Sequence, residues 1–437
     1  MKQKEPFILF FSIILLILLS ACQAQENDPS EDLELLPSIT PTRFIPTTPV
    51  PTAAEKTLQG TLSIRHAWDE HQIPALVQII NEFQDIYPDV YFDVLYVPNQ
   101  DLKARYENEV SSGKGASILL GPAEWGLDLY EAGLVRDLTG SLTENRLENF
   151  NQAALEAATI QNVLIGVPYS IYGVVLYRNR DIVTLAPNTF DELITLAQTS
   201  TSGDSIGAYL ERSFYYSGAH LNGLGGRLMN EEKLPAFNNT EGLAWLELLQ
   251  KFEEAGPVNY FTNDDLEFFK EGNVGWIIDG TWNLFELAEA IGIENLVIDI
   301  FPAYESGRLS GYVRSENIYL NPNIGDESLE ATLAFLDFFV SESSQIHISQ
   351  INRIPAITNL PLEDTPEQVL ISQAVAALSE GASYPVSPQM SVYNIQMDIA
   401  LRAYFEEGIT ASEALQRAED GILLELSEEP VPPTTEP

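Results

Sequence analysis

Few residues in this chain have the chemistry to form covalent bonds or to hold a metal. The only cysteine is Cys22, which closes the tetrapeptide Leu19-Ser20-Ala21-Cys22. It follows a short basic start, Lys2 and Lys4, and an apolar run from Phe7 to Leu19. This is the three-part layout of a secretory signal peptide with a small-residue cleavage site. The run is shorter than the roughly 20 residues that span a bilayer comfortably. The four histidines, His66, His71, His220 and His347, show no metal-ligand spacing such as His-x-x-x-His. No Gly-x-Ser-x-Gly elbow, Walker loop or calcium-loop pattern occurs, and no cofactor motif is read. Glycoside hydrolysis needs only a pair of carboxylates. With 64 acidic residues, chance pairs are unavoidable, so composition alone leaves that chemistry open.

The segment ending in Cys22 resembles the lipobox of bacterial lipoproteins. The resemblance implies cleavage before Cys22, acylation of its thiol and new amine, export, and tethering to a membrane. The alternative is a plain signal peptide, or a single anchor helix with a chance cysteine. Residues 1–21 are therefore set aside as a leader, and 22–57 read as a tether. Pro37-Ser38-Ile39-Thr40-Pro41-Thr42 and Pro46-Thr47-Thr48-Pro49-Val50-Pro51-Thr52 favour extended polyproline conformations and bury too little apolar surface to fold. The tail 427–437, rich in Pro, Thr and Glu, is expected to be disordered. Basic residues number 22 against 64 acidic, a net charge of −42. That balance argues against nucleic acid, which is held by Lys and Arg, and against adhesion to anionic lipid through a basic patch. A lipid at Cys22 is then the membrane attachment, and with its one cysteine modified the mature chain has no disulfide. At 45% hydrophobic residues it can build large cores without one.

The elements that must position any site form a βα series. Thr61–His66 alternates as a strand, and a helix follows with Pro74 in its first turn and Leu76, Ile80, Phe83 and Tyr87 on one face. Val90–Val97 reads as a second strand, 101–112 as a helix stopped by Gly113, and Ser117–Leu120 as a buried strand. Strands resume at Asn162–Val167 and Gly173–Tyr177, and helices at 241–254 and 329–340. Such alternation implies a parallel sheet with helices on both faces.

These residues also form an ordered series of motifs. It begins with Phe83-Gln84-Asp85-Ile86-Tyr87-Pro88-Asp89-Val90, Gly113-Lys114-Gly115-Ala116-Ser117-Ile118 and Glu131-Ala132-Gly133-Leu134-Val135-Arg136-Asp137-Leu138. It continues with Gly166-Val167-Pro168-Tyr169-Ser170, Leu176-Tyr177-Arg178-Asn179 and Pro187-Asn188-Thr189-Phe190-Asp191-Glu192-Leu193. Phe269-Lys270-Glu271-Gly272-Asn273-Val274-Gly275-Trp276 with Ile278-Asp279-Gly280-Thr281-Trp282 is its most specific pair, and Ile354-Pro355-Ala356 and Pro388-Gln389-Met390-Ser391 close it. Together they resemble the extracellular solute-binding protein family that includes maltose-binding protein, which delivers substrates to ABC importers. The likeness covers about 58–420; Ala116-Ser117 departs from the usual Pro-Asp. The resemblance implies a two-lobed α/β, periplasmic-binding-protein-like fold with ligand between the lobes. Lobe one would be 58–171 and 310–350, and lobe two 172–309 and 351–426. The expected function is capture of a carbohydrate, as a monomer, for an ABC permease, without catalysis. A cationic or other non-sugar solute, or a sensor without transport, remain the alternatives.

A sugar presents apolar C–H faces and a rim of hydroxyls, so its site needs aromatic rings and polar side chains. The chain holds 5 Trp, 18 Tyr and 20 Phe to choose from. Val274, Trp276 and Ile278 alternate as a strand, Asp279-Gly280 turns, and Thr281 can cap the next helix. Trp282 is thereby placed where the family stacks a ring on sugar, while Trp276 reads as core. Tyr215 and Tyr216 resemble a ligand-facing aromatic segment, with Ser213 where maltose-binding protein has a carboxylate. Glu124 matches an acidic contact at a strand end, and Tyr172 a crossover position held by a carboxylate in that relative. Tyr393 and Asn394 follow the last motif, and Trp68 with Asp69 follows the first strand. The alternative for Trp282, Tyr215 and Tyr216 is core packing, and for Glu124 a solvated loop. Arg314 suits an anionic ligand if it faces inward, but an ion pair with one of the many acids is the favoured reading.

Overall fold

The computed structural model describes residues 57–428, apart from 114 and 306. The leader, Cys22, nearly all of the tether, Lys114 and the last residues of the tail lie outside the described residues. Of the tail, Ser427 and Glu428 are the end of a helix, Ala411–Glu428. No described helix is long and apolar enough to cross a membrane.

Local sequence sets the first layer much as its periodicity predicts. Gly60–His66 is a strand, followed by the helix Ile73–Ile86, which has Pro in its first turn and buries Leu76, Ile79, Ile80 and Phe83. Val90–Tyr96 pairs with Gly60–His66 in parallel, and Ile118–Pro122 pairs in parallel on the other side. The helix Thr240–Ala255 is capped by Asn239, whose side chain accepts the Gly242 N–H, and it buries Trp245, Leu246, Leu249 and Phe252.

Two strands join the halves of the molecule. Val167–Asn179 is one continuous strand, not the two that the apolar runs suggest. Pro168, Ser170 and Gly173 interrupt those runs, but Tyr312–Leu320 and Ile354–Pro355 pair with this stretch and hold it extended. Tyr312–Leu320 is antiparallel both to it and to Ile118–Pro122. Farther along, the long strand is antiparallel to Val274–Gly280 and Leu296–Asp299. The sheet of ten strands is therefore mixed rather than parallel. The βα alternation reports crossovers that keep successive strands parallel; it carries no signal for strands that return antiparallel.

Period-two alternation along Val167–Asn179 divides the cores. Tyr169, Ile171, Val175 and Tyr177 join a cluster with Ile64, Phe83, Phe335 and Phe339, whereas Val174 and Leu176 join one with Phe190, Trp245, Phe252 and Trp276. Trp276 is wholly buried, as its alternation predicts, and its Nε1 donates to Asp299 Oδ2 at 2.9 Å. Arg178 grips the same carboxylate with two bonds, Nε to Oδ2 at 2.7 Å and Nη2 to Oδ1 at 3.0 Å. Arg178 and Asp299 are both buried, so removing one leaves the other's charge without compensation. Asp299→Ala is expected to cost about 3–5 kcal/mol in urea unfolding; a loss indistinguishable from that of an exposed Asp→Ala change would refute this role.

Candidate functional site

The candidate site is assembled from strand ends and from the two crossing strands. Ile118–Pro122 ends in a tight turn, Ala123–Trp125, that carries Glu124. In the crossing ladder Tyr172 stands opposite Arg314. Val274–Gly280 ends in the turn Thr281–Asn283 that carries Trp282. The short helix Phe214–Ser217 supplies Tyr215 and Tyr216. Tyr384 follows the bridge of Ala382–Ser383 to Tyr312–Val313, its N–H donating to the Val313 carbonyl at 2.9 Å.

These elements bring one arginine, one carboxylate and a wall of rings together. Arg314 Nε donates to Glu124 Oε1, so the ion-pair reading of Arg314 holds. Its guanidinium carbon also lies 4.8 Å from the Tyr384 ring centre and 5.6 Å from that of Tyr172. Burial works to lower the Arg314 pKa, but Glu124 and the tyrosines outweigh it, and the group is held more firmly charged than usual. Burial pushes the Tyr172 hydroxyl up, with Glu124 adding to it, so Tyr172 is a neutral hydrogen-bonding group. Glu124 Oε2 is buried with no hydrogen-bond partner, as is Asn394 Oδ1. Each is an acceptor lacking a donor.

The ring wall continues from Tyr384 to Tyr215 (centres 5.8 Å apart), then to Trp282 (6.1 Å), with Tyr216 beside both at 5.5 and 6.4 Å. Trp282 is 48% exposed, whereas Trp68, Trp245 and Trp276 are at most 2% exposed. Its indole lies across Gly280, where an added Cβ would collide with the ring. Thr281 does not cap a helix as its position suggests. Its Oγ1 instead accepts the Gly173 N–H at 3.1 Å, which ties the Trp282 turn to the long strand.

Of the residues singled out from sequence, Glu124 and Tyr172 thus meet Arg314, and Tyr215, Tyr216 and Trp282 continue from it through Tyr384. Asn394 reaches them indirectly, its amide donating to the Tyr384 hydroxyl at 2.9 Å. Three others are engaged elsewhere. Trp68 is buried, donates to the Tyr169 hydroxyl at 2.9 Å, and packs under Arg353. Asp69 Oδ1 accepts the N–H groups of His71 and Gln72 and so shapes the turn before the first helix. Tyr393 is wholly buried, and its hydroxyl donates to the Lys233 carbonyl. Asp69 is taken up by its own turn, whereas Trp68 and Tyr393 bond to distant segments that sequence does not reveal. Tyr384 was missed for the same reason, since nothing around Gly381-Ala382-Ser383-Tyr384 marks it among 18 tyrosines.

Behind the wall lie buried carboxylates. Asn259 Nδ2 bridges Glu211 Oε2 at 2.6 Å and Asp265 Oδ1 at 2.7 Å. Burial pushes the Glu211 carboxyl up, and burial with the nearby Glu211 charge pushes Asp265 up to about 8. Burial likewise pushes Asp398 up to about 6. Among the described residues no cluster of His, Cys, Asp or Glu is placed to hold a metal.

The model of the family described as bacterial extracellular solute-binding protein matches residues 78–374. A galactooligosaccharide-binding protein of Bacillus subtilis is 24% identical over 70% of this chain and 76% of its own length. A maltooligosaccharide ABC transporter solute-binding lipoprotein of Streptococcus pneumoniae is 26% identical over 59% of this chain and 64% of its own. Among solved structures, a cyclo/maltodextrin-binding protein complexed with maltotetraose superposes with a TM-score of 0.73 at 21% identity. That superposition covers 85% of this chain and 98% of the other. Such similarity shows the fold, which is the two-lobed α/β fold expected from the motifs.

The buried acids fix a sign for the dependence of stability on pH. An aspartate whose folded pKa is raised from 3.8 to about 8 penalises the native state progressively as pH climbs between those values. Below that window it is protonated in both states and the penalty is gone. The melting temperature is therefore expected to rise as pH is lowered from about 8.5 to about 6.5, because the native state binds more protons than the unfolded chain; below that the buried His220, its pKa lowered to about 4, works against the gain. Scanning calorimetry that found the opposite slope would show that these acids do not retain their protons in the fold.

Proposed function

The chain belongs to the bacterial extracellular solute-binding family, and from that premise we propose that it captures a neutral oligosaccharide for an ABC importer. The observation that carries this reading is the ring wall around Trp282 beside a carboxylate already neutralised by Arg314. Rings suit the C–H faces of a sugar. Glu124 Oε2 and Asn394 Oδ1, two buried acceptors without donors, would suit its hydroxyls once a lobe movement admits ligand to them. A cationic solute is disfavoured because the charge of Glu124 is met within the protein. The names of the relatives, which bind malto- and galactooligosaccharides, support the same class of ligand.

In this reading Cys22 carries the lipid, the Pro/Thr-rich segment spaces the body from the membrane, and a monomer closes its lobes over ligand and docks on the permease. The site binds and releases; no residue in it is assigned a catalytic step.

Titration calorimetry against neutral oligosaccharides and polyamines, at low and high salt, separates the rivals. A neutral sugar is expected to bind with little salt dependence, and a charged amine to lose affinity as salt screens it. Trp282→Ala is expected to weaken sugar binding by about 1–3 kcal/mol, by analogy with other aromatic stacking platforms. Binding confined to amines and lost in salt would overturn the sugar reading. Substituting Cys22→Ala is expected to abolish incorporation of labelled palmitate; retained label would place the lipid elsewhere.

A further inference from the structure

The ring wall depends on one buried carboxylate that contributes no ring and is not exposed to a ligand. Asp279 is 5% exposed at the end of Val274–Gly280. Its Oδ1 accepts the Gly280 N–H at 2.6 Å, and its Oδ2 accepts the Asn283 side-chain amide at 2.9 Å. The Tyr216 hydroxyl stands nearby, and burial together with the Asp279 charge keeps it protonated. One side chain thus holds both ends of the turn that carries Trp282. Thr281 fixes where that turn attaches, through Gly173, and Asp279 fixes its shape.

We propose that Asp279 is the positioning residue of the ligand site: its ionised carboxylate holds the turn that carries Trp282 in stacking geometry, and ligand affinity falls when it takes up a proton. The proposal rests on the reading of this wall as a ligand site. The two groups bonded to its oxygens, the Gly280 N–H and the Asn283 NH2, both donate. A proton on the carboxyl therefore competes with one of them.

The surroundings set where this happens. Tyr216 faces Asp279 from the short helix, Tyr177 from the long crossing strand, and Asp265 and Lys270 from the helix Asp264–Lys270. Glu211 stands behind Tyr216. Burial pushes the Asp279 carboxyl up, and the bonds from Asn283 and Gly280, with the nearby Tyr216 hydroxyl and the charge of Lys270, only partly oppose it. Protonation therefore comes above the ordinary aspartate range. As pH falls the other buried carboxylates strengthen the fold while the buried His220, its pKa lowered to about 4, opposes them below about 6.5, so a melting curve at each pH separates affinity lost through Asp279 from unfolding.

The test uses purified protein labelled with fluorotryptophan and a Trp282→Phe variant to assign the Trp282 resonance. The resonance is followed by fluorine NMR across the acid range in the wild type, Asp279→Asn and Asp279→Ala. In the same samples the affinity for maltotetraose is measured. The wild-type Trp282 resonance is expected to move as pH falls. In Asp279→Asn, which keeps the shape without the charge, it should stay fixed. Asp279→Ala should shift it at every pH and weaken maltotetraose roughly tenfold, the size of a lost stacking contact. A Trp282 resonance unmoved in Asp279→Ala, or a pH profile identical in Asp279→Asn and wild type, overturns the positioning role. A resonance that moves as expected while maltotetraose and the oligosaccharides of the calorimetric titration all fail to bind supports the positioning role and overturns the sugar reading.

Discussion

The antiparallel ladder between Val167–Asn179 and Tyr312–Leu320 fixes the position of everything in the site. It sets Tyr172 opposite Arg314, and farther along the same strand it sets Val174 opposite Gly280. Gly173, between those two pairs, has no room for a side chain against the Tyr312 carbonyl and gives its N–H to Thr281. A slip of one residue would turn Tyr172 into a core and bring a buried side chain to the site, because side chains alternate between faces. Burial of both faces of the long strand makes that slip costly. The strand therefore acts as a ruler that spaces the Glu124–Arg314 pair from the Trp282 turn.

The electrostatics invert the composition. A chain with a net charge of −42 would be expected to line a cleft with free carboxylates. Instead Glu124 is paired with Arg314, and Asp279, Glu211 and Asp265 lie behind the rings and bond to amides. In low dielectric such groups are worth more as geometric anchors than as charges, because each unpaired lone pair there is costly. The excess acid is left to the surface, where water solvates it.

Much of the fold was legible in the sequence because its signals are local. A stripe such as Leu76, Ile80 and Phe83 lies on one helical face whatever that face packs against, and Val274, Trp276 and Ile278 point one way along a strand. The same local logic placed Trp282 just past a strand end, where the structure leaves it half exposed. The continuity of Val167–Asn179 through Pro168, Ser170 and Gly173 was not legible, since its partners come from far along the chain.

The sequence by itself therefore determined the alternation of elements, the family motifs and the turn that carries Trp282, all of which depend on residues within one or two turns of chain. Only the tertiary structure decided which rings face the site. Trp68 and Tyr393 satisfy their polar atoms on Tyr169 and Lys233, more than 100 residues away, and are drawn into the cores. Tyr384 and Arg314 are drawn to the site by Tyr215 and Glu124, again far along the chain. Whether a ring is buried or presented depends on the sum of such distant contacts, and no local pattern encodes that sum.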